Sequence, residues 1–163
     1  MQHVTSADGT TIGYTMSGSG PPLLLVHGTT ADHRRWATVS PRLEPHFTLF
    51  AMDRRGRGGS GDGPEYDLMR EAEDIAAVVD GVADATGKKV SVLGHSFGAL
   101  CTLEGALLTD KIHRLILYEP PNSLAGPSVP SEIIDRMRAL VDEGELERVL
   151  EVMFREVVMM PEY

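Results

Sequence analysis

Cysteine is nearly absent from this 163-residue chain: there is one, Cys101. It cannot form an intrachain disulfide, which predicts a reducing, cytoplasmic setting. Basic charge is also short. The net charge is −9, which argues against a nucleic-acid binder, since phosphate backbones need a basic face, so no nucleic-acid partner is expected. Long apolar runs are missing; stretches such as "PPLLLV" fall far short of a membrane span. The opening "MQHVTSADGTTIGY" has neither a basic n-region nor an apolar h-region, which predicts no signal peptide. No G-x-x-x-x-G-K-[ST] occurs, so a P-loop is excluded. With 42% hydrophobic and 24% charged residues, what remains is an ordinary globular composition.

The order of elements is informative. "HVTS" and "TTIGYTMS" flank Asp8-Gly9, a hairpin signal. "PPLLLVHG" and "FTLFAMD" read as strands buried on both faces. Between them "ADHRRWATVSPRL" is weakly helical. Leu68, Ala72, Ile75, Val79 and Val82 recur at steps of four and three, which predicts an amphipathic helix over 66–86, closed by Gly87. "KKVSVLG" is a strand, "FGALCTLEGALLT" a helix and "IHRLILYEP" a strand. A hairpin followed by strand–helix alternation predicts an α/β fold, with a mostly parallel, doubly wound sheet. After "PPNSLAGPSVP" two helical stripes follow: Ile133, Met137, Leu140 and Val141, then Leu146, Val149, Leu150, Met153, Phe154 and Val157. This predicts a helical hairpin outside the sheet.

Three motifs carry chemistry. In "VSVLGHSFGAL", Ser96 stands between Gly94 and Gly98 where a strand turns into a helix. A serine hydroxyl is a weak nucleophile without a base. A sharp turn presents it, and crowding at that turn calls for glycine on both flanks. The second motif is His27-Gly28-Thr29-Thr30, directly after a buried strand. Two backbone N–H groups aimed at a developing oxyanion are worth about 3 kcal/mol each. One should come from Phe97, after the nucleophile, and the other from Thr29. The third is "DRRGRGGSG". Gly56, Gly58 and Gly61 match the dinucleotide fingerprint by letter, but loop composition continues to Pro64 and a helix follows, not a second strand. No cofactor and no metal are expected. Arg54, Arg55 and Arg57 could steer an anionic substrate, though a solvated loop is the simpler reading.

The motifs "PPLLLVHGTT", "FAMDRRGRGGSG", "VSVLGHSFGAL" and "LILYEPP", in this order, resemble the α/β-hydrolase superfamily across about residues 8–121. The hairpin is similar to the start of that family's cap. The resemblance implies residues 1–122 as the N-terminal part of an α/β-hydrolase core and 123–163 as the start of a helical cap. It implies a Ser–His–acid triad with Ser96 as nucleophile and Thr29 and Phe97 as oxyanion donors. Serine at position 96 favours a small-molecule ester, thioester or lactone as the acyl substrate.

The family's histidine follows a later strand, which this chain lacks. His3, His46 and His113 fall at the amino ends of strands, the wrong edge for chemistry in an open sheet. His27 and His95 read as structural, and His33 lies on the right edge but outside the family pattern. Glu119, at the carboxyl end of the last strand, is a candidate acid or a carboxylate that caps the following loop. Cys101 reads as buried and unreactive. Two functions stay open. One is a serine hydrolase, apparently truncated, whose acid and histidine come from a C-terminal segment or a second chain. The other is a non-catalytic α/β-hydrolase-like binding module.

Overall fold

A computed structural model of the protein describes residues 1–121 and 129–159. The chain divides into two compact units, Met1–Pro121 and Asn122–Tyr163. No helix among the described residues is long and apolar enough to cross a membrane.

The first unit holds six strands: β1 Gln2–Thr5, β2 Thr11–Gly18, β3 Pro22–Val26, β4 Thr48–Met52, β5 Val90–His95 and β6 Ile112–Tyr118. They form one sheet in the order β1-β2-β4-β3-β5-β6. The β1–β2 hairpin and the β2–β4 pair are antiparallel. The pairs β3–β4, β3–β5 and β5–β6 are parallel. The sheet is therefore mixed, antiparallel from β1 to β4 and parallel from β4 to β6, in the α/β architecture the sequence predicts.

Alternation along the strands divides the core. Leu24 and Val26 of β3 join Phe50 and Met52 of β4 and Val90 and Val92 of β5 on one face. There they meet Ile75, Val78, Val79 and Val82 of α2, Leu68–Thr86, and Cys101 of α3, Phe97–Gly105. Leu23, Leu25, Leu49 and Ala51 point to the other face and pack on Trp36. Trp36 ends a 3-10 turn, His33–Trp36, which a short helix α1, Ser40–Leu43, follows. Period two in the strands and the 3.6-residue stripe of α2 therefore build one two-faced core.

Helix ends fall where local chemistry puts them. α2 begins at Leu68, two residues later than the sequence predicts, because the Asp67 carboxylate caps it by accepting the Arg70 N–H at 2.8 Å. Gly87 ends it at φ 66°, as expected. α3 stops at Gly105, short of the predicted Thr109. A Cβ at Gly105 would stand 3.0 Å from the Ala72 carbonyl of α2, so the two helices cross closely there.

The second unit holds α4, Ser131–Asp142, and α5, Leu146–Val152, which runs on into a π-helical turn, Met153–Val157. Gly144 turns the chain between the helices at φ 77°. Leu140 is the one described residue of this unit that is buried. Ile134, Met137, Val141, Val149, Met153 and Val157 line an apolar cavity of about 440 Å³ within the hairpin. The predicted stripes exist, but Leu146, Leu150 and Phe154 stay largely exposed.

Candidate active site

Four parallel strands end on one edge of the sheet. Val26 of β3 pairs with Met52 of β4 and with Gly94 of β5, and His95 of β5 pairs with Tyr118 of β6. The segments that follow these strands, at Gly28-Thr29, Arg54, Ser96 and Glu119, therefore gather side by side at the carboxyl edge.

Ser96 is half-buried and holds φ 53°, ψ −127°. An L-residue adopts this conformation rarely, at a cost of about 1–3 kcal/mol. The surroundings enforce it. A Cβ at Gly98 would lie 2.3 Å from the His27 carbonyl oxygen, and one at Gly94 would lie 2.6 Å from Ala99 Cα. Both obstacles are backbone, so neither can swing aside. The Ser96 N–H donates to the Tyr118 carbonyl at 2.9 Å, which ties the turn to the end of β6. A Cβ at Gly28 would touch Ser96 Cβ at 3.0 Å, so the 28–29 turn passes directly beside the serine.

His27 shows why that turn has a fixed orientation. It is fully buried. The Arg54 N–H donates to His27 Nε2 at 3.1 Å, so Nε2 is the acceptor and Nδ1 carries the proton. Nδ1–H then donates to the Gly28 carbonyl at 2.8 Å. Burial holds the His27 pKa below its ordinary value, consistent with a neutral ring. The Gly28 carbonyl also accepts from Arg54 Nη1 at 3.0 Å. In a trans peptide the carbonyl and the following N–H point opposite ways. Two buried donors thus hold the Gly28 oxygen inward and turn the Thr29 N–H away from the interior. Among the described residues neither Thr29 N–H nor Phe97 N–H has a hydrogen-bond acceptor.

Arg54 is the hub that sequence reasoning missed. It and Arg55 were expected in a solvated loop, and the structure corrects this: their side chains are 1% and 0% exposed. Arg54 Nε donates to Glu71 Oε2 at 2.9 Å and Nη2 to Oε1. Tyr66 Oη donates to Glu71 Oε1 at 2.8 Å. The Arg54 guanidinium also lies 4.8 Å from the centre of the Phe97 ring. Arg55 makes a two-pronged pair with Asp74, both bonds at 2.7 Å, and reaches Asp8 at 2.9 Å. Glu71 and Asp74 are three apart on α2 and share its buried face. A carboxylate can be buried there only with a cationic partner. Their positions, in step with the apolar stripe, were the signal in the sequence. Arg57 is half-buried.

The other histidines fall as follows. His33 Nδ1 is bonded to the buried Asp53 carboxylate at 2.8 Å. The His95 ring stacks on Tyr118 at 5.4 Å, and its buried Nδ1 has no hydrogen-bond partner. Burial, then the charge of Arg35, holds its pKa below the ordinary value. Among the described residues no hydrogen bond reaches Ser96 Oγ. Glu119 is exposed at φ 50°, directly after β6. Cys101 is fully buried, and burial pushes its thiol up to about 12.

Asp32, His33 and Asp53 bring ligand-type atoms within 4.8 Å of one another. They are bonded within the protein: Asp53 accepts from His33 N, His33 Nδ1 and Gly59 N, and Asp32 accepts from Arg34. The glycines of the 56–61 loop do not open a helix, since the next helix starts at Leu68. That arrangement does not fit a dinucleotide pyrophosphate.

The alpha/beta hydrolase family profile matches residues 23–162. The chain is similar to N-formylmaleamate deformylase of Pseudomonas putida, 37% identical over 68% of this chain and 40% of that protein. It is similar to 2-(acetamidomethylene)succinate hydrolase of Mesorhizobium japonicum, 31% identical over 82% of this chain and 46% of that protein. Among solved structures, an alpha/beta hydrolase from Sphaerobacter thermophilus superimposes with a TM-score of 0.85 at 41% identity, covering 98% of this chain and 62% of that one. The chain thus spans less than half the length of these two curated relatives.

Proposed function

The chain belongs to the alpha/beta hydrolase family, and on that premise we propose that it is the nucleophile-bearing part of a serine hydrolase. Ser96 Oγ attacks the carbonyl carbon of a small acyl substrate, and a histidine base takes its proton. The leaving group departs with that proton, and water then hydrolyses the acyl-enzyme by the same route. The N–H groups of Thr29 and Phe97 receive the oxyanion. The observation that carries this reading is the strained Ser96 backbone, enforced by Gly94 and Gly98, with two unpartnered N–H groups on its flanks. Strain of this kind persists where function uses it.

The base and the acid are proposed to come from a segment outside residues 1–163, or from a second chain. Two observations support this. Each histidine ring at the carboxyl edge is tied elsewhere or packed as described above. And β6 is an edge strand that exposes Leu115, Ile116 and Tyr118, a surface that an added strand would cover. Glu119 is kept as a candidate acid. The α4–α5 hairpin is read as the start of a cap, on sequence order and on its partly covered apolar stripes. A cytoplasmic location, supported by the single cysteine, belongs to the same proposal.

Esters, thioesters and lactones remain the proposed substrates. The names of the two curated relatives add N-acyl compounds, whose cleavage passes through the same tetrahedral oxyanion. A non-catalytic binding module is the competing account. The experiment is to express residues 1–163, confirm a mass near 17.7 kDa, and assay short-chain p-nitrophenyl esters against Ser96→Ala. Turnover at the level of the Ser96→Ala control is expected, because removing the base from a triad costs about as much as removing the nucleophile. Robust Ser96-dependent turnover would overturn the claim of an external base.

A further inference from the structure

A second cavity, of about 440 Å³, lies in the first unit beside the proposed oxyanion turn. Thr30, Asp32, Arg34 and Arg35 form one wall, and Arg57 and Gly58 the other. The charges do not cancel. Asp32 is bonded to Arg34 through both of its oxygens. Arg35 and Arg57 have no carboxylate partner among the described residues; Arg57 Nη1 donates to the Arg55 carbonyl at 2.9 Å. The residues that line the cavity therefore carry three guanidinium groups against one carboxylate, on a chain whose net charge is −9.

The two walls are fastened to each other. Asp53, fully buried, accepts from the His33 N–H at 2.7 Å and from His33 Nδ1 at 2.8 Å. Its other oxygen accepts from the Gly59 N–H at 2.8 Å. One carboxylate thus pins the 32–36 turn to the loop after β4, and with them the segments that carry Arg35 and Arg57. The loop passes so close that a Cβ at Gly58 would fall 2.2 Å from Asp53 Oδ2. Both arginines lie near the proposed site. The charge of Arg35 adds to burial in depressing the His95 pKa, and that of Arg57 does the same at His27. His95 precedes Ser96, and His27 orients Gly28.

We infer that this cavity binds a carboxylate carried by the acyl substrate, one guanidinium from each wall facing its two oxygens. Guanidinium forks match carboxylate geometry and stay charged at any working pH. The word substrate rests on the hydrolase reading; the anion site itself does not. Specificity would then favour acyl compounds with an acidic group over neutral ones of the same length.

The test measures binding of succinate, dimethyl succinate and inorganic phosphate to the 163-residue chain by titration with amide chemical-shift mapping. Succinate is expected to bind and to shift the Thr30 and Gly58 amides, and to weaken as salt is raised. Dimethyl succinate should not displace those amides. Arg35→Gln and Arg57→Gln should each weaken succinate about tenfold or more, with Arg→Lys intermediate. Equal binding of the dimethyl ester, or no shift at Thr30 and Gly58 in the unaltered protein, would overturn the inference whatever the variants do. Tighter binding of phosphate than of succinate would overturn the carboxylate assignment. The two proposals fail separately. Succinate binding to the 163-residue chain, with no fluorophosphonate labelling of Ser96 in a folded form that carries the histidine-bearing segment, counts against the hydrolase reading alone. Labelling without succinate binding counts against this inference alone.

Discussion

Replacing Glu71 by glutamine should destabilise the protein more than any change on its surface. The perturbation removes one charge and almost no volume. It leaves the Arg54 guanidinium, 1% exposed, without its counterion. Two charge-assisted bonds to Arg54 and one from Tyr66 converge on this carboxylate. Breaking a buried pair by removing one partner costs about 3–5 kcal/mol. A domain of this kind has a total stability of about 5–15 kcal/mol. With a urea m-value of about 2 kcal/mol/M, the midpoint should fall by about 2 M. The double variant Arg54→Met with Glu71→Leu removes both charges and should recover most of the loss, since apolar replacement of a buried pair is often near neutral. It should not restore the Gly28 turn, whose carbonyl loses the Arg54 Nη1 donor. Slower exchange or an unchanged shift at the Thr29 amide in that double variant would contradict the orienting role given to Arg54. A Glu71→Gln cost below about 1 kcal/mol would refute the reasoning at its base.

Gly98→Ala should fail to fold or lose several kcal/mol, because its Cβ meets the His27 carbonyl at 2.3 Å; Gly87→Ala, whose Cβ meets nothing within 4 Å, should cost only the strain of φ 66°. Thermal melts compare them. His27 and His95 both have folded pKa values below the unfolded value near 6.5. Below that pH the unfolded chain binds more protons than the folded one, so stability should fall as pH drops from about 6.5 and hold above it; urea titrations between pH 8 and 5 check the sign. Cys101, buried and with its thiol pushed up to about 12, should resist Ellman's reagent in the native state and react on unfolding.

Much of this was written in the chain. The apolar run of β3 and the glycines around Ser96 are local signals, and the sheet and the strained turn follow from them. The stripe of α2 was equally plain, because it depends only on helical period. What the sequence hid is long-range. Arg54 and Glu71 are seventeen positions apart, and a Gly-rich loop with three arginines reads as solvated until a helix is known to lie under it. The signal was there in part: Glu71 and Asp74 keep step with Leu68, Ile75 and Val82 on the buried side. The close approach of α3 to α2 at Gly105 was hidden for the same reason, since it involves Ala72 on another helix. The His33–Asp53 bond joins two loops that no periodicity describes.

The central claim is that Ser96 is a nucleophile held ready by its turn. A serine-directed fluorophosphonate, read by intact mass and peptide mapping, tests it most directly in a form of the protein that carries the proposed histidine-bearing segment. The account predicts one covalent adduct, on Ser96, absent from Ser96→Ala. Labelling that persists in Ser96→Ala, or no labelling of a folded protein with that segment in place, would contradict it.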